Sequence, residues 1–144
     1  MIHLGVDLGE RRVGFAVSDA EERLAVPSGF ARSTSSDQTL SEVIDKAGRE
    51  GAEMIVVGYP LNMDGRAGPK AQEALAFRDH LLAAGWQAVL WDERLTTSEA
   101  ERVMREAGVR RRQRKQHIDA NSAQRILSSY LDCRRISQAA PTPS

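Results

Sequence analysis

The stretch "IHLGVDLGERRVGFAVSD", residues 2–19, decides the architecture. Ile2, Leu4, Val6 and Leu8 alternate with His3, Gly5 and Asp7, and a period of two is that of a β-strand. "GERR" reads as a tight turn and "VGFAVSD", 13–19, as a second strand, so the segment predicts an antiparallel hairpin. "RLAVPSGFAR", 23–32, adds a third strand, interrupted or ended by Pro27 and Gly29.

Beyond residue 34 the period changes. Leu40, Val43, Ile44 and Ala47 recur at helical spacing, Ser35 and Gln38 have capping-box spacing, and Gly51 is a stop. "EMIVVGYP", 53–60, is a short apolar run of the kind buried on both faces of a parallel sheet. "LNMDGRAGP" is a loop, and 70–84 a helix with Ala74, Phe77 and Leu81 inward. "QAVLWDE", 87–93, is another buried strand, and 97–107 a helix. A last helix covers about 119–132, with Ala123, Ile126, Leu127, Tyr130 and Leu131 inward. The order β-β-β-α-β-α-β-α-α predicts an α/β fold, an antiparallel meander followed by βαβ crossovers in one mixed five-stranded sheet flanked by helices. Residues 1–133 are read as one domain, and 134–144, ending in "AAPTPS", as a disordered tail.

A chain of 144 residues with 41% hydrophobic and 28% charged residues suits one soluble domain. No apolar run spans a bilayer and no signal peptide is visible, so the expectation is a cytoplasmic protein without a membrane partner. Cys133 is the sole cysteine, which excludes an intramolecular disulfide and a cysteine-rich metal site. The formal net charge is +0. Charge is nevertheless concentrated: Arg110, Arg111, Arg112, Arg114 and Lys115 fall within "RRRQRK", a run that suits phosphate contacts.

Three carboxylates hold the chemical interest. Asp7 sits on a strand beside small or polar residues, too early to serve the turn it precedes. Asp92 and Glu93 close the strand 87–93 on opposite faces, so only one can share a site with Asp7, and parity alone does not choose. Asp119 opens the last helix, where capping is the ordinary role of an aspartate. Three such groups close together need a cation to stay ionised. Hard oxygen donors favour Mg²⁺ or Mn²⁺, two of which, roughly 3.5–4 Å apart, clamp the attacking and leaving oxygens of a phosphoryl group.

The motifs "GVDLGERRVGFAVSD", "VVGYPLNMDG", "FRDHL", "DERLTTSEAE" and "IDANSAQRILSSYLD" together resemble the YqgF/RuvX family from about residue 2 to 132. The resemblance implies a ribonuclease H-like fold. It also implies a metal-dependent nuclease, either maturing the 5′ end of 16S rRNA precursors or resolving Holliday junctions. Carried over by motif, the metal-binding and catalytic residues are Asp7, Glu93 and Asp119, which selects Glu93 over Asp92. Arg11, Arg12, Arg94 and the run 110–115 are then candidates for substrate phosphates. The implied partner is nucleic acid, structured or single-stranded RNA or branched DNA, bound by a monomer or weak homodimer. Asn121 and Ser122 stand where the family usually has apolar and small residues. Two other readings compete. "GVDLG" before a hairpin also resembles the phosphate-binding opening of actin-like ATPases and sugar kinases, which need two such domains. A non-catalytic nucleic-acid binder or ribosome-assembly scaffold would need the basic run but not three acids.

Overall fold

The structure is a computed structural model that describes residues 1–62, 64–93 and 122–139. Five strands, β1 (His3–Leu8), β2 (Arg12–Ser18), β3 (Ala25–Arg32), β4 (Met54–Tyr59) and β5 (Ala88–Asp92), form one sheet in the order β3-β2-β1-β4-β5. β1 pairs antiparallel with β2 and parallel with β4, and β4 pairs parallel with β5. The meander and the crossovers therefore meet on β1, the central strand.

Helices α1 (Ser36–Glu50) and α2 (Pro69–Ala83) cover one face, and α3 (Ser122–Ala139) covers the other. Alternation in β1 sorts its side chains between these layers. Leu4 and Val6 pack with Val43, Ala47, Phe77 and Leu81, whereas Gly5 faces α3. Each fully buried side chain of this kind contributes about 1.5–3 kcal/mol. The α1 boundaries follow from local chemistry. Ser35 accepts a hydrogen bond from the Gln38 N–H at 3.1 Å, and Gly51 ends the helix with φ of 69°.

The structure refines the expectations. β3 is interrupted rather than ended at Pro27 and Gly29: it runs on through both with a register shift. It is an edge strand, where a missing N–H costs no ladder bond, and Gly29, with φ of 81°, accommodates a bulge opposite Gly14 and Ala16. Secondly, α3 continues to Ala139, past the residue 134 at which a tail was expected. Arg134 ties this extension to the loop between β2 and β3, its Nε donating to Glu22 Oε2 at 3.0 Å. Lastly, the helix expected at 97–107 and the opening of the last helix at 119–121 lie outside the described residues.

His3 is buried, as expected of a packed residue. Burial lowers its pKa, and its ring lies 5.6 Å from that of Tyr130. Among the described residues no helix is long and apolar enough to cross a membrane.

The approach of α3 to β1 is very close. A Cβ at Gly5 would lie 2.8 Å from Leu127 Cβ and 2.9 Å from the Ala123 carbonyl oxygen, neither of which can rotate away. Gly5→Ala is therefore expected to cost about 2–3 kcal/mol and lower Tm by roughly 5–10 °C, read by thermal denaturation. An unchanged Tm would show that α3 does not seat on β1 as described.

Candidate active site

Three strands build the centre. Asp7 lies near the end of β1, and Glu93 follows β5, its N–H donating to the Tyr59 carbonyl at 3.2 Å. Between them runs β4, which carries Gly58 at this level. A Cβ on Gly58 would fall 2.5 Å from Glu93 Oε1 and 2.7 Å from Ile126 Cδ1. The missing side chain lets Glu93 cross over β4 and reach Asp7. On the other side Asp7 pairs with Gly14 of β2. Both strands neighbouring Asp7 thus lack a side chain beside it: Glu93 takes the space over Gly58, and a Cβ on Gly14 would meet only Asp7 Cβ at 3.9 Å and Ala123 Cβ at 4.0 Å.

Parity separates the acids of β5. Val89 and Trp91 pack toward α3 and Leu90 toward the opposite layer, so Glu93 comes over the α3 face with Asp7. Asp92 contributes only a weak repulsion to Glu93, the smallest of the causes acting on it.

The two carboxyl groups are in hydrogen-bond contact, and this sets their electrostatics. Burial, then the negative charge of Asp7, then the hydrogen bond to it, push the Glu93 pKa up from 4.5 to about 7. Arg125 on α3 opposes this, but the shift persists. Cationic charge supplied by the protein's described residues therefore does not neutralise the pair. An oxygen-only donor set with surplus negative charge fits a hard divalent cation, which would take the place of the shared proton.

Among the described residues no third His, Cys, Asp or Glu joins this pair. Asp119, Arg94, Arg110, Arg111, Arg112, Arg114 and Lys115 lie outside the described residues, as does His117. Arg11 and Arg12 are exposed at the β1–β2 turn and the start of β2. Beside Glu93 a small cleft is lined by Leu8, Gly9, Gly58, Pro60 and Lys70. Gly58 and Arg125 escape the sequence reading. "VVGYP" did contain a signal for the first, a glycine inside a strand, which marks a close approach. Arg125 gives none, being one polar residue at the border of a helical stripe.

Comparisons with known proteins show which family and fold the chain resembles. The family model described as "RuvX: Holliday junction resolvase" matches residues 1–133. A protein of Chloroflexus aggregans named "Putative pre-16S rRNA nuclease" is 38% identical over 133 residues, covering 92% of this chain and 94% of the relative. One of the same name from Desulfitobacterium hafniense is 42% identical over 130 residues, covering 90% of each. Among solved structures, T. thermophilus RuvC in complex with a Holliday junction substrate superposes with a TM-score of 0.62. It has 16% identity and covers 99% of each chain, a likeness of fold.

The raised pKa has a sign that can be tested without substrate. The folded state holds the Glu93 proton more tightly than the unfolded chain. The resulting stability is present below pH 4.5 and is lost as pH rises through about 7. Asp7→Asn removes the repulsion and leaves a side chain that can donate to Glu93. In EDTA this variant is expected to be more stable than wild type at pH 8, on the order of 1 kcal/mol or roughly 2–4 °C in Tm, and little different at pH 4. Equal Tm values at pH 8 would mean that the two carboxyl groups do not interact.

Proposed function

The chain belongs to the RuvX family and is a nuclease; we propose that it hydrolyses phosphodiester bonds in maturing the 5′ end of precursor 16S rRNA, and that it depends on a divalent cation, Mg²⁺ or Mn²⁺. The observation that carries this reading is the contact between Asp7 and Glu93 across Gly58, two carboxyl groups in hydrogen-bond contact, where burial and the charge of Asp7 push the Glu93 pKa up to about 7. Pre-rRNA is favoured as the substrate because the relatives named for it share 38–42% identity with this chain.

Asp7 and Glu93 would hold the cations from β1 and from the end of β5, and Asp119, outside the described residues, would complete the donor set. When bound, the ions supply Lewis-acid stabilisation of the attacking and leaving oxygens. Asp7 sits on the central strand, so its carboxyl group is fixed by the sheet and needs little reorganisation. Gly14, where an added Cβ would meet nothing closer than 3.9 Å, leaves room on the β2 side of Asp7, whereas the space over Gly58 is taken by Glu93 itself. Arg11 and Arg12, with Arg94 and the run 110–115, hold flanking phosphates and fix the strand in register. The work is cytoplasmic, as rRNA maturation in a bacterial relative would be.

A Holliday junction is the second reading, favoured by the family description and by the fold shared with RuvC. It requires two active sites on one junction and hence a dimer.

One assay addresses both. Precursor rRNA ends, single-stranded RNA and a four-way junction are incubated with the chain in Mg²⁺ and in Mn²⁺, with sedimentation run alongside. The expected result is metal-dependent cleavage of the precursor end. Asp7→Asn and Glu93→Gln are each expected to reduce kcat at least about 100-fold while remaining folded. Gly58→Ala is expected to lower kcat as well, by displacing Glu93. Full metal-dependent activity in Asp7→Asn would overturn the assignment of the site, and symmetric cutting of the junction by a dimer would select the second reading.

A further inference from the structure

A large aromatic ring stands exposed on the same face of the sheet as the acidic pair. Phe30 of β3 is 66% exposed. Across the sheet the register runs Asp7 to Gly14 to Phe30. Directly paired residues share a face, so the ring and the carboxyl group lie on one side with only a glycine between them. Two strand spacings of about 4.8 Å put Phe30 roughly 10 Å from Asp7.

The orientation is the product of a local device. Three steps along β3, Pro27 to Phe30, match two along β2, Ala16 to Gly14. Without this bulge at Gly29, Pro27 and Phe30 would fall on opposite faces. With it, Phe30 turns onto the face of Asp7. Bulges that re-aim side chains are enriched beside active sites. Val26 belongs to the opposite face, since it pairs with Val17, which pairs with the buried Leu4. The ring is therefore no part of an apolar strip along the edge. Its surroundings are cationic instead. The Arg12 guanidinium lies 5.1 Å from the ring centroid, and Arg32 pairs with Arg12 in the ladder. Arginine on one face of the ring fixes it and leaves the other face for a second planar group.

We propose that Phe30 is a base-stacking platform for an unpaired nucleotide of the substrate strand, a few nucleotides from the scissile phosphate at Asp7. The proposal rests on the nuclease reading above and adds to it a substrate class: strands unpaired beside the cut. Stacking on an aromatic ring is available to every base, so the platform selects unpaired from paired strands and does not read sequence. Arg12 and Arg32 hold the adjoining phosphates, which gives the strand its path from the edge of the sheet inward to the carboxyl pair.

The test separates binding from cleavage. The full chain, Phe30→Ala and Phe30→Trp are titrated in EDTA with a fluorescein-labelled oligoribonucleotide of mixed sequence, single-stranded and annealed to its complement. Steady-state cleavage is then measured in Mg²⁺. Phe30→Ala is expected to raise the single-strand Kd and KM about five- to hundredfold with kcat little changed, and to leave duplex binding unaltered. Phe30→Trp is expected to restore both constants. Unchanged Kd and KM in Phe30→Ala overturn the platform while leaving the nuclease standing. Conversion of a dimer to a monomer by Phe30→Ala overturns it too, making the ring a subunit contact. A wild type that binds the single strand through Phe30 and cuts nothing supports the platform and removes the nuclease.

Discussion

The closeness of α3 to β1 governs the rest of the molecule. Gly5 has no side chain, so the helix backbone descends to the strand itself, with the Ala123 carbonyl over the glycine. That depth fixes how the N-terminal end of α3 meets the sheet. It brings Arg125 within electrostatic reach of Glu93, and Ile126 against Gly58. The same face carries glycine again at 14 and 58, to either side of Asp7. Ala123 lies over Gly14, and Glu93 and Ile126 fill the space over Gly58. Packing and site are thus one feature of this face, set by which positions lack a Cβ.

Such an arrangement is costly to the metal-free fold. Two carboxyl groups in contact and partly buried hold a proton that the unfolded chain would release at neutral pH. Nothing in the packing of α1, α2 or α3 requires the pair. A sheet built for stability alone would place an apolar residue at Asp7, since Gly5 and Val6 before it are buried and Leu8 after it is half-buried. Local strain of this electrostatic kind, retained on the most rigid strand, is what a site waiting for a cation looks like.

Much of this was legible in the chain. The alternation of residues 2–8 fixed β1, the change of period at Leu40 fixed α1, and Ser35 and Gly51 fixed its ends. Those signals are local, and local chemistry decided them. Strand parity also separated Glu93 from Asp92 before any contact was known, although it could not say which of them met Asp7. What stayed hidden depends on tertiary contact. Gly58 reads as an ordinary strand glycine until Glu93 is seen above it. Phe30 carries no signal, because a bulge that reverses strand parity leaves no periodicity to detect. Whether Pro27 and Gly29 interrupt the strand or end it stays open in the sequence, because the edge position that tolerates them is a property of the whole sheet. The end of the last helix, read at about 132, lies further on for a similar reason: Arg134 is tied down by Glu22, more than a hundred residues away in sequence.

The charge pattern follows one logic. A phosphodiester and a carboxyl pair repel each other, so the acids at Asp7 and Glu93 would drive substrate away unless a cation lay between them. Arginines close to the pair would solve the repulsion by neutralising it, but they would also occupy the cation's place. The structure keeps the two roles apart. Arg125 comes near enough to moderate Glu93 but leaves its pKa at about 7. Arg12 on β2 stands one strand from Asp7 and Arg32 on β3 two, toward the edge of the sheet, where they attract a polyanion. A net charge of +0 over the chain hides this division. Attraction for the strand comes from the edge, the demand for a cation comes from the centre, and Gly14 on β2 puts no side chain between them.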